Sequence, residues 1–567
     1  MADLVIGGRR ASPHRVARAV GFLIALLVVA FVVAWFIYRR SVSYDEPGGT
    51  APDDKVVVAR DQPGLTQLRY GQATLGFVGD LRVLRAAGDA HTLGAAQGRL
   101  LADRLAAAVA SMAPGLDAAV GEGGLFSGTH GMRVAWRYRF IDDGLPEDQR
   151  RVVAGIARGA ERGGAEIDFE DLLRDQAALD VAMPAPWSSE TRTHVVARSL
   201  TVVAPQATAG RVWIGRSLSL PGAGEGGEAL AASAVITFFK PTGKLAWAGV
   251  GWAGLAGAVT GINSEGLAVL VDPARAGDVR ATRTARPMAL LARAILEQCT
   301  TLDEAIKLAD QTPTLGAAAF VVVDGKSGRW ALLERTPSRL VVTRDPPLSA
   351  VGDLLTAPPF ADDLENDRGR RMLPTVDRVA RAARLTKAPL ADVAAVAAVL
   401  RDRRGKDDAP LPDGHRAAIA DASAIQTVII DPAAMTLWVA DGDASARFRA
   451  FDLRHELRGD GDRAAPPADI PEEAEPAGAQ ARAIRLARAD LRRARQALLE
   501  DDLDRAIERC GRALARVPTL PEALQLEGEL ARARGDLAGA RAALGQWLDN
   551  GPDDPGAAEE VKAQLGR

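Results

Sequence analysis

Hydrophobic and polar positions change their spacing several times along this chain, and each change marks a segment. Ala19 to Tyr38, AVGFLIALLVVAFVVAWFIY, is uniformly apolar and uncharged. About twenty such residues at 1.5 Å rise span about 30 Å, one hydrocarbon thickness. Ser41 to Thr74, with Gly-Gly, Pro and Asp, reads as a tether. Leu81-Arg82-Val83-Leu84-Arg85 then alternates like a strand, and Gly88-Asp89 turns the pattern helical, with Ala95, Leu100, Leu101 and Leu105 on the apolar side. Glu147 to Gly163 predicts a second helix ended by Gly164, and Asp168 opens another with an acidic first turn. From His194 to Val271 the period returns to two. Short strands at Ser199 to Ala204 and Arg211 to Ile214 are joined by small residues, and later strand-like runs close on the tight turn Gly261 to Gly266.

Residues 459–478, rich in Asp, Glu, Pro and Ala, predict a flexible linker. Beyond them a helical pattern repeats with a period of 34. Ala506, Cys510, Ala513 and Pro518 recur as Ala540, Leu544, Trp547 and Pro552, and Asp502-Leu503 recurs as Asp536-Leu537.

Composition narrows the possibilities. A 47% hydrophobic share is that of an ordinary packed chain, and a net charge of -3 provides no field for nucleic acid. Cys299 and Cys510 lie in different segments, which argues against a disulfide between them, and the six scattered histidines show no ligand spacing. No metal or cofactor is expected. Arg9, Arg10, Arg15 and Arg18 precede the apolar run, whereas Arg39 and Arg40 follow it, before Asp45 and Glu46. This bias predicts a cytoplasmic N-terminus and a main domain across the membrane, in the periplasm if the source is bacterial. The run ends at Ile37-Tyr38-Arg39-Arg40 without a small-residue cleavage site, so an uncleaved anchor is expected over a signal peptide.

Four segments together carry a family resemblance. They are LRVLRAAGDAHTLGAAQGRLLADRL, with Gly94 and Gly98; the strands opening near Ser199; EQCTTLDEAIKLADQTPTLGAAAFVVVDGKSGRWALLE; and TVIIDPAAMTLWVADGDASARFRAFDL. In this order they resemble the isopenicillin N acyltransferase branch of the N-terminal-nucleophile hydrolases. The resemblance implies an α+β fold, an αββα sandwich, behind an N-terminal transmembrane helix and before a small all-α domain. The expected division is 1–18 cytoplasmic, 19–38 transmembrane, 39–74 tether, 75–458 acyltransferase-like domain, 459–478 linker and 479–567 helical repeats. The last register resembles the tetratricopeptide repeat, which implies a protein or peptide partner.

Chemistry in such a fold needs a nucleophile freed as a chain terminus, whose own α-amine, with a pKa of about 7.7–8.0, serves as base. The resemblance implies a Cys at that position, an Arg and an Asp in a Gly-Arg-Asn-x-Asp corner, and Asn in a Gly-x-Asn-x-x-Gly turn. Here Arg216 inherits the charged role and Asn263 that of oxyanion donor. The corner reads GRSLSL, so Ser217 and Ser219 replace Asn and Asp, and Thr356-Ala357-Pro358 lacks a further Asn. No Cys is near. One register puts Ser199 at the nucleophile position, and a gapless count puts Arg198 there. Two functions follow as expectations: a degenerate scaffold that binds an amide-containing or acylated small molecule, or a serine amidohydrolase or acyltransferase that cleaves itself between Arg198 and Ser199.

Other motifs read as structural. Gly249 to Gly254 matches GxGxxG, with Asp272 downstream, but a dinucleotide site needs a helix there and the sequence turns back to strand. Cys299 is expected to be a small buried residue, and Arg368, Arg370 and Arg371 a solvated helical face.

Overall fold

The structure, a computed structural model, describes residues 13–52, 55–62, 65–120, 130–182, 198–207, 210–219, 230–278, 284–347, 349–421, 424–459, 467–474 and 477–566. Expectations for residues 1–12, for His194 to Ala197 and for much of the 459–478 linker lie outside them.

Helix α1 (Pro13–Val42) contains the apolar run. Val20–Val42 is long and apolar enough to cross a membrane, and its most apolar stretch is not buried against the rest of the chain. Downstream, β1 (Val57–Gln62), β2 (Leu65–Tyr70), β3 (Ala73–Val78) and β4 (Leu81–Gly88) form a meander. Asp89 then caps α2 (Ala90–Leu100), its carboxylate accepting from the Thr92 amide. Helices α3 (Ala102–Val120), α4 (His130–Arg137), α5 (Glu147–Arg162), α6 (Phe169–Asp175) and α7 (Ala178–Ala182) follow. Gly94 and Gly98 of α2 face Gly155 and Gly159 of α5, and a Cβ on any of the four would collide with backbone of the other helix. The glycines are there for backbone-to-backbone approach.

The strands near Ser199 are longer than the alternation predicts: β5 is Arg198–Pro205 and β6 is Val212–Ser219. Then come β7 (Ala234–Pro241), β8 (Trp247–Trp252), β9 (Thr260–Asn263), β10 (Leu267–Ala274), α8 (Met288–Gln298), α9 (Leu302–Gln311), β11 (Ala317–Asp324), β12 (Trp330–Arg335), β13 (Leu340–Arg344) and β14 (Ala350–Gly352). Helices α10 (Leu364–Met372), α11 (Thr375–Leu385) and α12 (Val393–Leu400) precede β15 (Gln426–Asp431), β16 (Thr436–Ala440) and β17 (Phe448–Asp452).

Among the described residues these strands make two sheets. One runs β1-β2-β3-β4-β7-β8-β9-β10-β11-β12-β13 and the other β14-β5-β6-β15-β16-β17. Pairing is antiparallel except between β4 and β7. Alternation assigns the faces. Ile236, Ala268, Leu270 and Val321 of the first sheet pack with Val203, Ile214, Val428 and Ile430 of the second, forming the middle of the sandwich. Val269, Val271 and Phe320 point the other way, onto α2, α3, α5 and α8. Leu200, Val202 and Ala204 pack on α11 and α12. Helices, sheet, sheet and helices make the αββα layering of the N-terminal-nucleophile hydrolase fold.

The C-terminal region is helical: α13 (Ala477–Leu499), α14 (Leu503–Arg516), α15 (Pro521–Ala533), α16 (Leu537–Asp549) and α17 (Pro555–Leu565). The repeated Asp502 and Asp536 cap α14 and α16, accepting from the Arg505 and Gly539 amides. The repeated positions Ala506, Cys510, Ala513 and Ala540, Leu544, Trp547 are buried.

These helices dock on the sandwich through buried charge. Arg488 of α13 donates to Asp421 Oδ1 at 3.0 Å and to Gly414 O at 2.8 Å, and pairs with Glu522 of α15 at 3.3 Å. Arg416 donates to Asp553 at 2.7 Å. Burial opposes the ionisation of Asp553, but the Arg416 guanidinium prevails and pulls its carboxyl down to about 2.

Candidate active site

Because β5 and β6 alternate, Ser199 and Thr201 share the inward face with Val203, and Arg216 shares it with Ile214. Across the sandwich, Asp272 continues the inward row of Ala268 and Leu270 on β10. The two sheets thus bring Ser199, Thr201, Arg216 and Asp272 together, all buried. Arg216 Nη1 lies 3.1 Å from Asp272 Oδ1 and donates to Thr201 Oγ1 at 3.1 Å, while Nη2 donates to Val271 O at 2.5 Å. Thr201 Oγ1 donates to Asp272 Oδ2 at 2.9 Å. Burial raises the Asp272 carboxyl above the usual carboxylate range. Arg216 and the hydroxyls of Thr201 and Ser199 pull it back. Ser199 Oγ is near Asp272 but short of hydrogen-bond geometry.

A second charged group continues the site. Asp353 follows β14, whose Val351 pairs with Thr201 and Gly352 with Leu200. Its Oδ1 accepts from Thr375 Oγ1 at 2.7 Å, and its buried Oδ2 has no partner. Burial pushes this carboxyl up to about 6. Arg378 of α11 is 1% exposed, and none of its three guanidinium nitrogens has a hydrogen-bond partner. Its charge acts on both Asp353 and Asp272. Its five N–H donors are thus left unused by hydrogen bonds beside two buried carboxylates.

The corner residues behave differently from what the resemblance implies. Ser217 and Ser219 alternate outward, away from Arg216. Ser219 Oγ donates to Asp421 at 2.7 Å, and Asp421 Oδ2 lies 3.6 Å from Arg198 Nη2. Arg198 thereby joins the buried charges under α13 rather than the middle of the sandwich. Asn263 also has a different place. Its amide donates to Leu296 O at 3.0 Å and Cys299 O at 2.8 Å, and its carbonyl accepts from the Glu265 and Leu267 amides at 3.0 Å. Every bond the side chain can make is used to staple the turn to α8. The turn also sits at the opposite end of β10 from Asp272, about 17 Å away for five residues of strand. Asn263 is therefore a structural residue, not the oxyanion donor.

Asp272, Asp353 and Arg378 are the residues that sequence reasoning missed. A signal existed for the first: an acid on the inward parity of a buried apolar strand. The motif readings agree with the structure elsewhere. Gly249 to Trp252 lie in β8, Cys299 is buried with its thiol pushed up to about 12, and Arg368 and Arg371 pair on the surface with Glu365 and Asp367; Arg370 departs from the expected solvated face, being half-buried and donating to Leu355 O at 2.8 Å. Among the described residues no three His, Cys, Asp or Glu gather as a metal site.

The site is thus an Arg and carboxylates buried between the two sheets of the sandwich. The family model for acyl-coenzyme A:6-aminopenicillanic acid acyl-transferase matches residues 231–445. That match makes residues 231–445 similar to the family, and Ser199 and Arg216 precede the matched residues. Among solved structures it is similar to a Caenorhabditis elegans N-acylethanolamine-hydrolyzing acid amidase ortholog, with 17% identity, a TM-score of 0.30, and coverage of 41% of this chain and 93% of that one. It is also similar to a conjugated bile acid hydrolase variant from Clostridium perfringens, with 11% identity, a TM-score of 0.31, and coverage of 49% and 99%. No curated protein matches the sequence.

Proposed function

We propose that this chain is a single-pass membrane protein whose extracytoplasmic sandwich binds an acylated or amide-containing ligand without turning it over efficiently. The observation that carries this reading is the state of the Arg198–Ser199 peptide. It lies at the start of a paired strand, with Arg198, the first residue of β5, opposite Ser219 and tied to Asp421, and Ser199 opposite Leu218. A bond held in a regular ladder is poorly disposed to the cleavage that would free a terminal α-amine. Arg378, with its unused donors, supplies a contact for a carboxylate or carbonyl on the ligand. The C-terminal helices would bind a protein or peptide partner on the faces they leave exposed.

The test is intact-mass analysis of the purified full chain. A single unbroken mass after long incubation supports the binding reading. Cleavage between Arg198 and Ser199 that disappears in Ser199→Ala overturns it.

One observation favours the second reading. Asp272 enters from the facing sheet beside Arg216, so a carboxylate is present although Ser219 replaces the one the family has in its corner. In that case water adds across the Arg198–Ser199 peptide, leaving a carboxylate on Arg198 and an amine on Ser199. The amine would take the Ser199 hydroxyl proton as Oγ attacks an amide carbon.

A further inference from the structure

The end of α1 does not stand clear of the sandwich. Tyr38 Oη donates to Met132 O at 3.0 Å, and its ring stacks on Trp136 with centroids 6.3 Å apart and planes 20° apart. Trp35 is 5.7 Å from Tyr38, and Arg39 lies over the Trp35 ring. Four residues on, Val42 is buried, and so is Tyr44, whose hydroxyl donates to Tyr138 O at 2.7 Å. Helix α4 and the turn after it are therefore fixed beside the last turns of the apolar helix, at the level of its terminal aromatics.

That segment has an unusual surface. Met132 is 37% exposed, Trp136 45% and Phe140 36%, although the neighbouring Ala135, Tyr138 and Ile141 are buried. Arg139 lies over the rings of Trp136 at 4.1 Å and Phe140 at 4.3 Å, and donates to Trp136 O. Arg133 and Arg137 share the segment, with Asp142 and Asp143 just beyond it. Exposed aromatics interleaved with arginines, beside the end of a membrane span, match the chemistry of the lipid headgroup boundary. Such segments bury their apolar side roughly 5–10 Å into that layer, and basic residues add attraction to anionic lipid.

We propose that residues 130–140 form a second membrane contact, in which Met132, Trp136 and Phe140 enter the interfacial layer and Arg137 and Arg139 meet anionic headgroups. The contact rests on the reading of α1 as a membrane span, and it adds an orientation. The α2–α7 layer then faces the bilayer, while the C-terminal helices, docked on the other sheet, face away from it. The stretch expected to be a tether instead holds β1 and β2 of the large sheet, so the sandwich lies on the lipid.

The experiment uses the full chain in nanodiscs of three parts phosphatidylcholine to one part phosphatidylglycerol. Single cysteines at Met132, Phe140, Leu27 and Leu364 carry an environment-sensitive fluorophore, and lipid spin-labelled near the headgroup or deeper in the acyl chain is the quencher. All four positions are exposed, and Leu364, 79% exposed, serves as the reference away from α1. The native Cys299 and Cys510 are buried, with thiols pushed up to about 12, so they escape the label. The expected result is loss of fluorescence at Met132→Cys and Phe140→Cys with the shallow quencher, at Leu27→Cys with the deep one, and none at Leu364→Cys. Quenching at Leu27→Cys with none at Met132→Cys and Phe140→Cys overturns the second contact and leaves the anchor standing. No quenching at Leu27→Cys overturns the anchor itself.

Discussion

The buried Arg216–Asp272 pair makes a prediction whose size follows from its surroundings. In Arg216→Met the carboxylate of Asp272 keeps only hydroxyl partners in a site without water access. Removing one member of such a pair costs about 3–5 kcal/mol. Asp272→Leu leaves an uncompensated guanidinium and costs a similar amount. The double variant removes both charges. What remains is the Thr201 hydroxyl without its acceptor and the Val271 carbonyl without its donor, at about 1–2 kcal/mol each. The double variant is therefore expected to cost about 2–4 kcal/mol, well below the sum of the single variants. Urea unfolding at pH 7.5 measures all three through midpoint and slope. The pH dependence provides a second check. Without Arg216 the Asp272 carboxyl, already raised by burial, rises further in the folded state. A raised carboxyl stabilises the fold while it is protonated and ceases to do so as pH climbs through its folded value. Arg216→Met should thus lose less stability at pH 5 than at pH 8. Additive single-variant costs, or an effect independent of pH, would refute the account of an ion pair sustained by mutual compensation.

Three other outcomes are expected. Asp353 is pushed up to about 6 from 3.8, so at pH 7.5 its buried charge costs about 3 kcal/mol. Asp353→Asn should raise the urea midpoint at pH 7.5 and converge on the parent protein toward pH 4; an equal effect at both pH values would contradict it. Asn263→Ala strands four backbone groups and should cost about 4–8 kcal/mol in urea unfolding, counted at about 1–2 kcal/mol each, while creating no new break in the chain. Gly98→Ala drives a methyl into the Ile156 carbonyl and should cost about 1–3 kcal/mol, read as a fall in Tm; an unchanged Tm would show that α2 and α5 can separate cheaply.

Much of the scaffold was legible because its elements announce themselves locally. Asp89, Asp502 and Asp536 cap helices where the periodicity begins, and the alternation around Ser199 assigns the inward face. Arg216 was legible through the Gly-Arg corner of the family resemblance, since the alternation predicts a strand that stops at Ile214. The rest of the site was not, because it is assembled from segments distant in sequence. Asp272 comes from the facing sheet, Asp353 from the end of β14 and Arg378 from a helix on the outer layer. No spacing rule links them. Asn263 misled in the opposite way: its turn motif is real, but what the turn requires of Asn is a side chain that satisfies four backbone groups.

The tie between Arg488 and Asp421 bears on the order in which this protein can be completed. The two residues are 67 positions apart, and Asp421 also receives Ser219 and Arg198 from the strands of the site. At synthesis rates of about 5–20 residues per second, the sandwich waits roughly 3–13 s for α13 before that carboxylate gains its last cation. The compositional boundary near residue 459 is therefore not a boundary of cooperativity. A chain ending there should be slow to reach a protease-resistant state, and the whole protein should lose sandwich and C-terminal helices in one transition rather than two.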